Sequence, residues 1–323
     1  MGTGLSILTP QERGHFRGRD FLALADYSPA EIMAFIELGV ELKRKQKAGE
    51  TYAPLRGKTL AMIFEKSSTR TRVSFEVGMT QLGGTALFLS KNDIQLGRGE
   101  TIADTARTLS RYVDGIMIRT FAHRNLVELA RYATVPVING LTDMSHPCQA
   151  LADYMTIYEQ KGRLQGLKMA YIGDGNNMVH SLMVGAAKLG VHMAVSSPEG
   201  YEPNEMVVNV TRESASTGGG TYSFHYDPRE AIRDADIIYT DVWASMGMES
   251  EQLAREQAFR DYQVNLELTS LAKPDHIFMH CLPAHRGEEV SAEVIDGQHS
   301  VVFDQAENRL HAQKAILAAT MGE

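Results

Sequence analysis

Hydrophobic positions along this chain change period repeatedly. Ser28-Pro29-Ala30-Glu31 reads as a helix start, with a serine cap, proline at the first helical position and a glutamate reaching back. Ile32, Phe35, Ile36 and Leu42 follow at helical spacing. Thr59–Phe64 is a short apolar run of strand length, followed by a polar turn and a helix that stops at Gly83-Gly84. The same reading predicts a strand over Thr85–Ser90, a helix over Thr101–Val113, a strand over Gly115–Arg119, a helix over Asn125–Ala133 and a strand over Val135–Asn139. A second series is predicted after a helix over Pro147–Gln160. Its strands are Leu167–Ile172, Val191–Ser196, Tyr222–Tyr226, Asp236–Val242 and His276–His280. A helix over Val179–Leu189 closes at Gly190, and Gly218-Gly219-Gly220 reads as a loop. Strands alternating with helices imply parallel sheets covered on both faces. The expected fold is therefore α/β: two doubly wound parallel-sheet domains, 1–147 and 148–323, joined near residue 147. A last helix from about Asn308 is expected to pack back on the first domain.

Length and composition narrow this picture. A chain of 323 residues suits two domains. With 43% hydrophobic and 22% charged residues it is an ordinary folded chain and not a disordered one. Lys and Arg number 32 against 40 Asp and Glu, a net charge of −8, which excludes a general nucleic-acid binder. That average still permits a local basic pocket for an anionic metabolite. Cys148 and Cys281 are too few for a disulfide framework and lack metal-ligand spacing, so a reduced, cytoplasmic setting is expected. No apolar run is long enough to cross a bilayer, and Arg13, Arg17, Arg19 and Asp20 interrupt any signal-peptide core.

Ligands of open parallel sheets bind beyond the carboxyl ends of the strands, and polar residues at five such places stand out. Ser67-Ser68-Thr69-Arg70-Thr71-Arg72 follows a strand and opens a helix, where unpaired N–H groups, hydroxyls and guanidinium groups favour a phosphate or carboxylate over a plain cap. His146-Pro147-Cys148-Gln149 puts His146 at a cap and Gln149 in the first turn, both aimed at one volume and able to donate to a carbonyl oxygen. Gly173-Asp174-Gly175-Asn176-Asn177-Met178 lacks the third glycine of a dinucleotide loop, because Met178 stands there. A nicotinamide cofactor is not expected; Asn177 could hold a carboxylate instead. Asp241, at a strand end before Trp243-Ala244-Ser245-Met246-Gly247, is either a turn aspartate or a partner for a cationic amine. Cys281, in His280-Cys281-Leu282-Pro283, reads as a thiolate nucleophile, a substrate contact or a buried small hydrophobe. His280 is badly placed as its base, since neighbours on a strand point to opposite faces.

Taken together, Ser68-Thr69-Arg70-Thr71-Arg72, His146-Pro147-Cys148-Gln149, Asp241 with Ser245-Met246-Gly247, and His280-Cys281-Leu282-Pro283 resemble the ornithine carbamoyltransferases. The resemblance extends from Gly18-Arg19-Asp20-Phe21 to Ala306-Glu307-Asn308-Arg309. The first two motifs are shared with other transcarbamoylases, including aspartate carbamoyltransferase, whereas the last two are more specific to the ornithine branch. The resemblance implies that Ser68, Thr69, Arg70 and Thr71 bind the phosphate of carbamoyl phosphate. It places Arg119, His146 and Gln149 around the carbamoyl group and makes Arg309 a further ligand. Gln95 would reach into a neighbouring subunit's site, as in a family built on trimers. Asn177, Asp241, Ser245 and Met246 would bind ornithine, and Cys281 with Leu282 would close the site, in a cleft between the domains. Arg70, Arg119, His146 and Cys281 are thus the expected catalytic residues.

The implied reaction is attack of the ornithine δ-amine on the carbamoyl carbon, giving citrulline and phosphate without metal or cofactor. Its partners would be those two small substrates and further copies of the chain, with neither nucleic acid nor membrane. The rival acceptors are putrescine, which lacks the α-carboxylate, and N-acylornithine, which lacks the α-ammonium. A non-catalytic carbamoyl-phosphate-binding relative is the alternative of another class.

Overall fold

The structure is a computed structural model that describes residues 14–92, 94–95, 99–245 and 249–322. The chain divides into two compact units, Met1–Met155 with Glu307–Glu323, and Thr156–Ala306. The division falls inside the helix Pro147–Lys161, not at its first residue, and the last helix, Val302–Met321, likewise contributes residues to both units.

In the first unit β1 (Thr59–Phe64), β2 (Thr85–Ser90), β3 (Gly115–Arg119) and β4 (Val137–Leu141) form a parallel sheet in the order β2-β1-β3-β4. Every residue of β3 and β4 is buried, which is why these strands read as mostly apolar runs and not as alternation. Ala61, Ile63, Ile116, Ile118, Leu126, Leu129 and Val137 share one core under the helices that connect them. β4 starts two residues later than the apolar run suggests. Pro136 has no N–H to give the ladder, and pairing begins at Ile116 with Val137. The helix after β2 spans Ile102–Leu109 and stops short of the apolar pattern, where the Ser110 hydroxyl donates back to Ala106 O at 2.7 Å.

The second unit holds β5 (Lys168–Ile172), β6 (His192–Ser196), β7 (Thr221–His225), β8 (Ile237–Thr240) and β9 (Ile277–His280), parallel, in the order β7-β6-β5-β8-β9. The helix Asn177–Leu189 is buried over nearly its whole length and ends on Gly190 at φ 72°. Gly218 closes the helix Glu205–Gly218, so the expected three-glycine loop begins one residue later, with Gly219 as the left-handed cap. Among the described residues no helix is long and apolar enough to cross a membrane.

Both orders reverse direction once. From β1 the chain runs outward to β2 and then returns to β3 on the other side; from β5 it runs through β6 and β7 before returning to β8. The loops leaving β1 and β3, and those leaving β5 and β8, therefore diverge and leave a crevice at the carboxyl ends. The chemistry-bearing residues gather at these two switch points.

Candidate active site

In the first unit the loop after β1 feeds the helix Thr69–Gln81. Ser68 caps it, its hydroxyl accepting from Thr71 N at 3.2 Å. Thr71 is buried while Thr69 is exposed and Arg70 and Ser68 are half-buried, so the helix start presents a graded polar surface. Arg119 comes from the end of β3, the other side of the switch point, and its Nη1 lies 3.5 Å from Thr71 Oγ1. Arg309, from the last helix, donates Nη2 to the same Thr71 Oγ1 at 3.1 Å and Nη1 to Gln149 Oε1 at 2.5 Å. Gln149 in turn donates to Asp153 Oδ1 at 2.8 Å. Two buried guanidinium groups thus meet at one hydroxyl oxygen. Like charges held this close in a region of low dielectric are costly, and an anion placed between them relieves that cost.

His146 stands next to this pair at the start of the helix Pro147–Lys161 and is buried. Burial, and then the positive charges of Arg309, Arg119, Arg70 and Lys66, hold its imidazole well below the usual histidine range. It is therefore neutral and can donate one N–H to an oxygen without adding a further charge. Cys148 lies beneath, its thiol donating to Asn139 O at 3.3 Å and pushed up to about 12 by burial. It is a packing residue and not a nucleophile.

The second unit builds a different site at its own switch point. Asn176 caps the helix Asn177–Leu189, its Oδ1 accepting from Met178 N at 2.9 Å and Val179 N at 3.3 Å. Its amide donates across to Asp241 Oδ2 at 2.9 Å, from the end of β5 to the residue after β8. Asp241 Oδ1 accepts from Val242 N at 2.8 Å and from the Cys281 thiol at 3.0 Å. The result is a buried carboxylate held by three donors, with Cys281 beside it. Gly175 has to be glycine here, since a Cβ would stand 2.3 Å from the Glu202 carbonyl carbon. This glycine serves close backbone packing.

The His280 ring hydrogen-bonds with Glu289 and Leu282. Its Nε2 faces Glu289 Oε1 at 3.0 Å, and its Nδ1 accepts from Leu282 N at 2.9 Å, which pins Leu282 in the left-handed region at φ 56°. Asp241, His280 and Cys281 each place one ligand-type atom within 4.8 Å of the others, a grouping that chain spacing hides. Both ring nitrogens of His280 are already engaged, so the group serves as a hydrogen-bonded anchor. Asn177 and Ser245 are half-buried near the same loops, and Gln95 is exposed; Met246 lies outside the described residues.

Three groups had escaped sequence reasoning. Lys66, in the loop after β1, adds its charge to those around His146, and its place beside the serine-threonine run was a signal that could have found it. Asn176, not only Asn177, works at the second site. Arg255 is buried with Nη1 3.1 Å from Asp174 Oδ2 and donates to Trp243 O at 2.9 Å, tying the loop after β5 to that after β8. Burial raises the Asp174 carboxyl to about 6, against the opposing pull of Arg255. Nothing in the spacing of 174 and 255 announces that pair.

Comparison with known proteins fits this division of labour. Residues 19–159 match the family model described as aspartate/ornithine carbamoyltransferase, carbamoyl-P binding domain. Residues 165–320 match the model for the Asp/Orn binding domain. The chain is 65% identical to the ornithine carbamoyltransferase of Anoxybacillus flavithermus over 305 residues, 94% of this chain and 97% of that protein. It is 60% identical to the anabolic ornithine carbamoyltransferase of Pyrococcus furiosus over 94% of this chain and 97% of that one. The solved ornithine carbamoyltransferase of P. furiosus superposes with a TM-score of 0.92 over 95% of this chain and 98% of that one. A mitochondrial ornithine carbamoyltransferase from Coccidioides immitis, 38% identical, still reaches 0.87 over 94% of this chain and 98% of its own. With both family models matched in order, and relatives at this identity over nearly the whole length, the chain belongs to the aspartate/ornithine carbamoyltransferase family.

Proposed function

We propose that this chain is an ornithine carbamoyltransferase, transferring the carbamoyl group of carbamoyl phosphate to the δ-amine of L-ornithine to give L-citrulline and phosphate. The observation that carries this reading is the meeting of Arg119 and Arg309 on Thr71 beside a neutral, buried His146. Ser68, Thr69, Arg70 and Thr71 receive the phosphate at the helix start, where N–H groups and partial positive charge are available. Arg119, His146 and Gln149 surround the carbamoyl group. Its oxygen gains negative charge as the amine adds, and preorganised donors stabilise that charge more than they stabilise the ground state. Arg309 holds Gln149 and Thr71 in place while meeting the anion itself. When the tetrahedral adduct collapses, the C–O bond to phosphate breaks and its electron pair leaves with the phosphate.

In the second unit Asp241 takes the α-ammonium of ornithine, Asn177, Ser245 and Met246 its remaining polar groups, and Cys281 with Leu282 closes over the substrates. The thiol is occupied as a donor to Asp241, which supports a contact role and not covalent attack. The amine must be neutral to attack, so kcat/KM rises with pH below the amine's pKa. The word "anabolic" in the name of the P. furiosus relative supports the citrulline-forming direction and a place in arginine synthesis.

A homo-oligomer, the trimer or multiple of trimers that the family resemblance implies, is part of the proposal. Val73 and Val77 on the helix Thr69–Gln81 and Leu87 on the edge strand β2 are exposed, and Gln95 follows that strand. Citrulline assays with ornithine, putrescine, N-acetylornithine and aspartate as acceptors test the activity. Turnover is expected with ornithine alone; equal rates with putrescine would overturn the assignment of the acceptor.

A further inference from the structure

A second polar feature lies in the first unit, at the other end of the helix Thr69–Gln81. Leu42, Lys45, Thr51, Tyr52, Gln81 and Lys314 are among the residues around a cavity of about 220 Å³. Its wall carries two amines in different states. Lys45 is paired, with Nζ 2.9 Å from Glu50 Oε2 and 3.7 Å from Glu41 Oε1, and the Glu50 contact raises its pKa. Lys314 is 3% exposed and, among the described residues, donates only to the amide oxygen of Gln81, at 2.8 Å. An ammonium has three donors, so one acceptor leaves it poorly compensated in a buried place. Burial accordingly lowers the Lys314 amine to about 8. As a neutral amine it keeps the bond to Gln81 and has a lone pair to offer.

We propose that Lys314 is a site of covalent carbamylation: its amine, on the wall of this cavity, adds isocyanic acid and becomes a ureido group. The Nζ lone pair forms a bond to the carbon of HN=C=O, the C=N π pair moves to nitrogen, and the amine's proton ends there. Nothing leaves and nothing is oxidised or reduced. The reagent class is small and uncharged, which suits entry past Lys45 and Glu50. It also arises from carbamoyl phosphate itself, by elimination of phosphate, so exposure in the cell rests on the function proposed above. The ureido product has lost the ammonium charge but still donates to Gln81.

Potassium cyanate added to the intact protein tests this without turnover, and the acceptor assays judge the activity separately. At pH 8 about half of an amine with the Lys314 value is neutral, against roughly one part in 250 for an ordinary lysine. Lower intrinsic nucleophilicity takes back part of that advantage, leaving labelling about tenfold faster than at exposed Lys47. Peptide mass mapping over time should show Lys314 gaining one HNCO ahead of Lys45 and Lys47. At fixed total cyanate the Lys314 rate should fall above about pH 8, where the neutral amine is saturated while isocyanic acid keeps ionising, and that of Lys47 should not yet fall there. In K314R the fast-labelling peptide should disappear while the slow ones persist. Labelling of Lys45 before Lys314, a Lys314 rate no greater than that of Lys47, or a fast phase surviving in K314R would overturn the proposal.

Discussion

Arg309 makes two bonds in different directions, to Gln149 Oε1 and to Thr71 Oγ1, from two nitrogens of one planar fork. A lysine at this position keeps the charge but has a single nitrogen, which cannot span both acceptors. Arg309→Lys is expected to lower kcat/KM for carbamoyl phosphate by about 10–100-fold. Steady-state kinetics on the variant check this, and an unchanged value would remove Arg309 from the site. Two positions along the same helix, His311 is buried with Nε2 3.6 Å from Glu307 Oε1. Burial and then the charge of Lys314 lower its imidazole to about 4, with Glu307 opposing and Lys43 adding to the fall. An unfolded histidine titrates near 6.5, so between about pH 4 and 6.5 the unfolded chain binds more protons than the folded one. Stability is therefore full above that window and falls as pH falls through it. Urea unfolding at pH 5 and pH 7 should show a smaller difference in His311→Gln than in the parent; equal differences would assign the effect elsewhere. Individual site residues were legible where chemistry is concentrated in a run, as in 68–72 and 146–149. Asn176 and Arg255 were not, since their partners, Asp241 and Asp174, lie far off in sequence and only folding brings them close.

The last helix, Val302–Met321, also holds a polar residue with no visible task. Gln313 is fully buried, and neither its Oε1 nor its Nε2 has a hydrogen-bond partner among the described residues. An unpaired buried amide costs about 1–3 kcal/mol, and a flexible apolar side chain of similar size removes that cost. Gln313→Met is expected to raise the unfolding free energy by about 1–2 kcal/mol, read from urea denaturation. A loss of stability would mean that the amide is satisfied by something such as an ordered water. Elements as such were well announced by the alternation of apolar runs and polar turns. Their ends were less so, because ends are set by single bonds: the missing N–H of Pro136 for β4, the Ser110 hydroxyl for the helix Ile102–Leu109.

At the scale of the molecule, strand order was the part the chain kept to itself. Alternation predicts parallel sheets, but not that β1 neighbours β3 and β5 neighbours β8, and those adjacencies are what assemble each site. The exposed Val73, Val77 and Leu87 belong to this scale as well. If they are covered by other copies of the chain, Val77→Glu places a charge in that contact and should shift the mass seen by sedimentation toward the monomer. Unchanged mass would place the oligomer contact elsewhere. One further consequence follows from the first unit being discontinuous, Met1–Met155 completed by Glu307–Glu323. On the ribosome the sheet β1–β4 is made early, yet Arg309, Lys314 and the bond from Lys43 to Asn308 await the last helix, after the whole second unit. The nascent first unit thus waits through synthesis of Thr156–Ala306 with an unclosed core, a stretch in which chaperone protection would matter most.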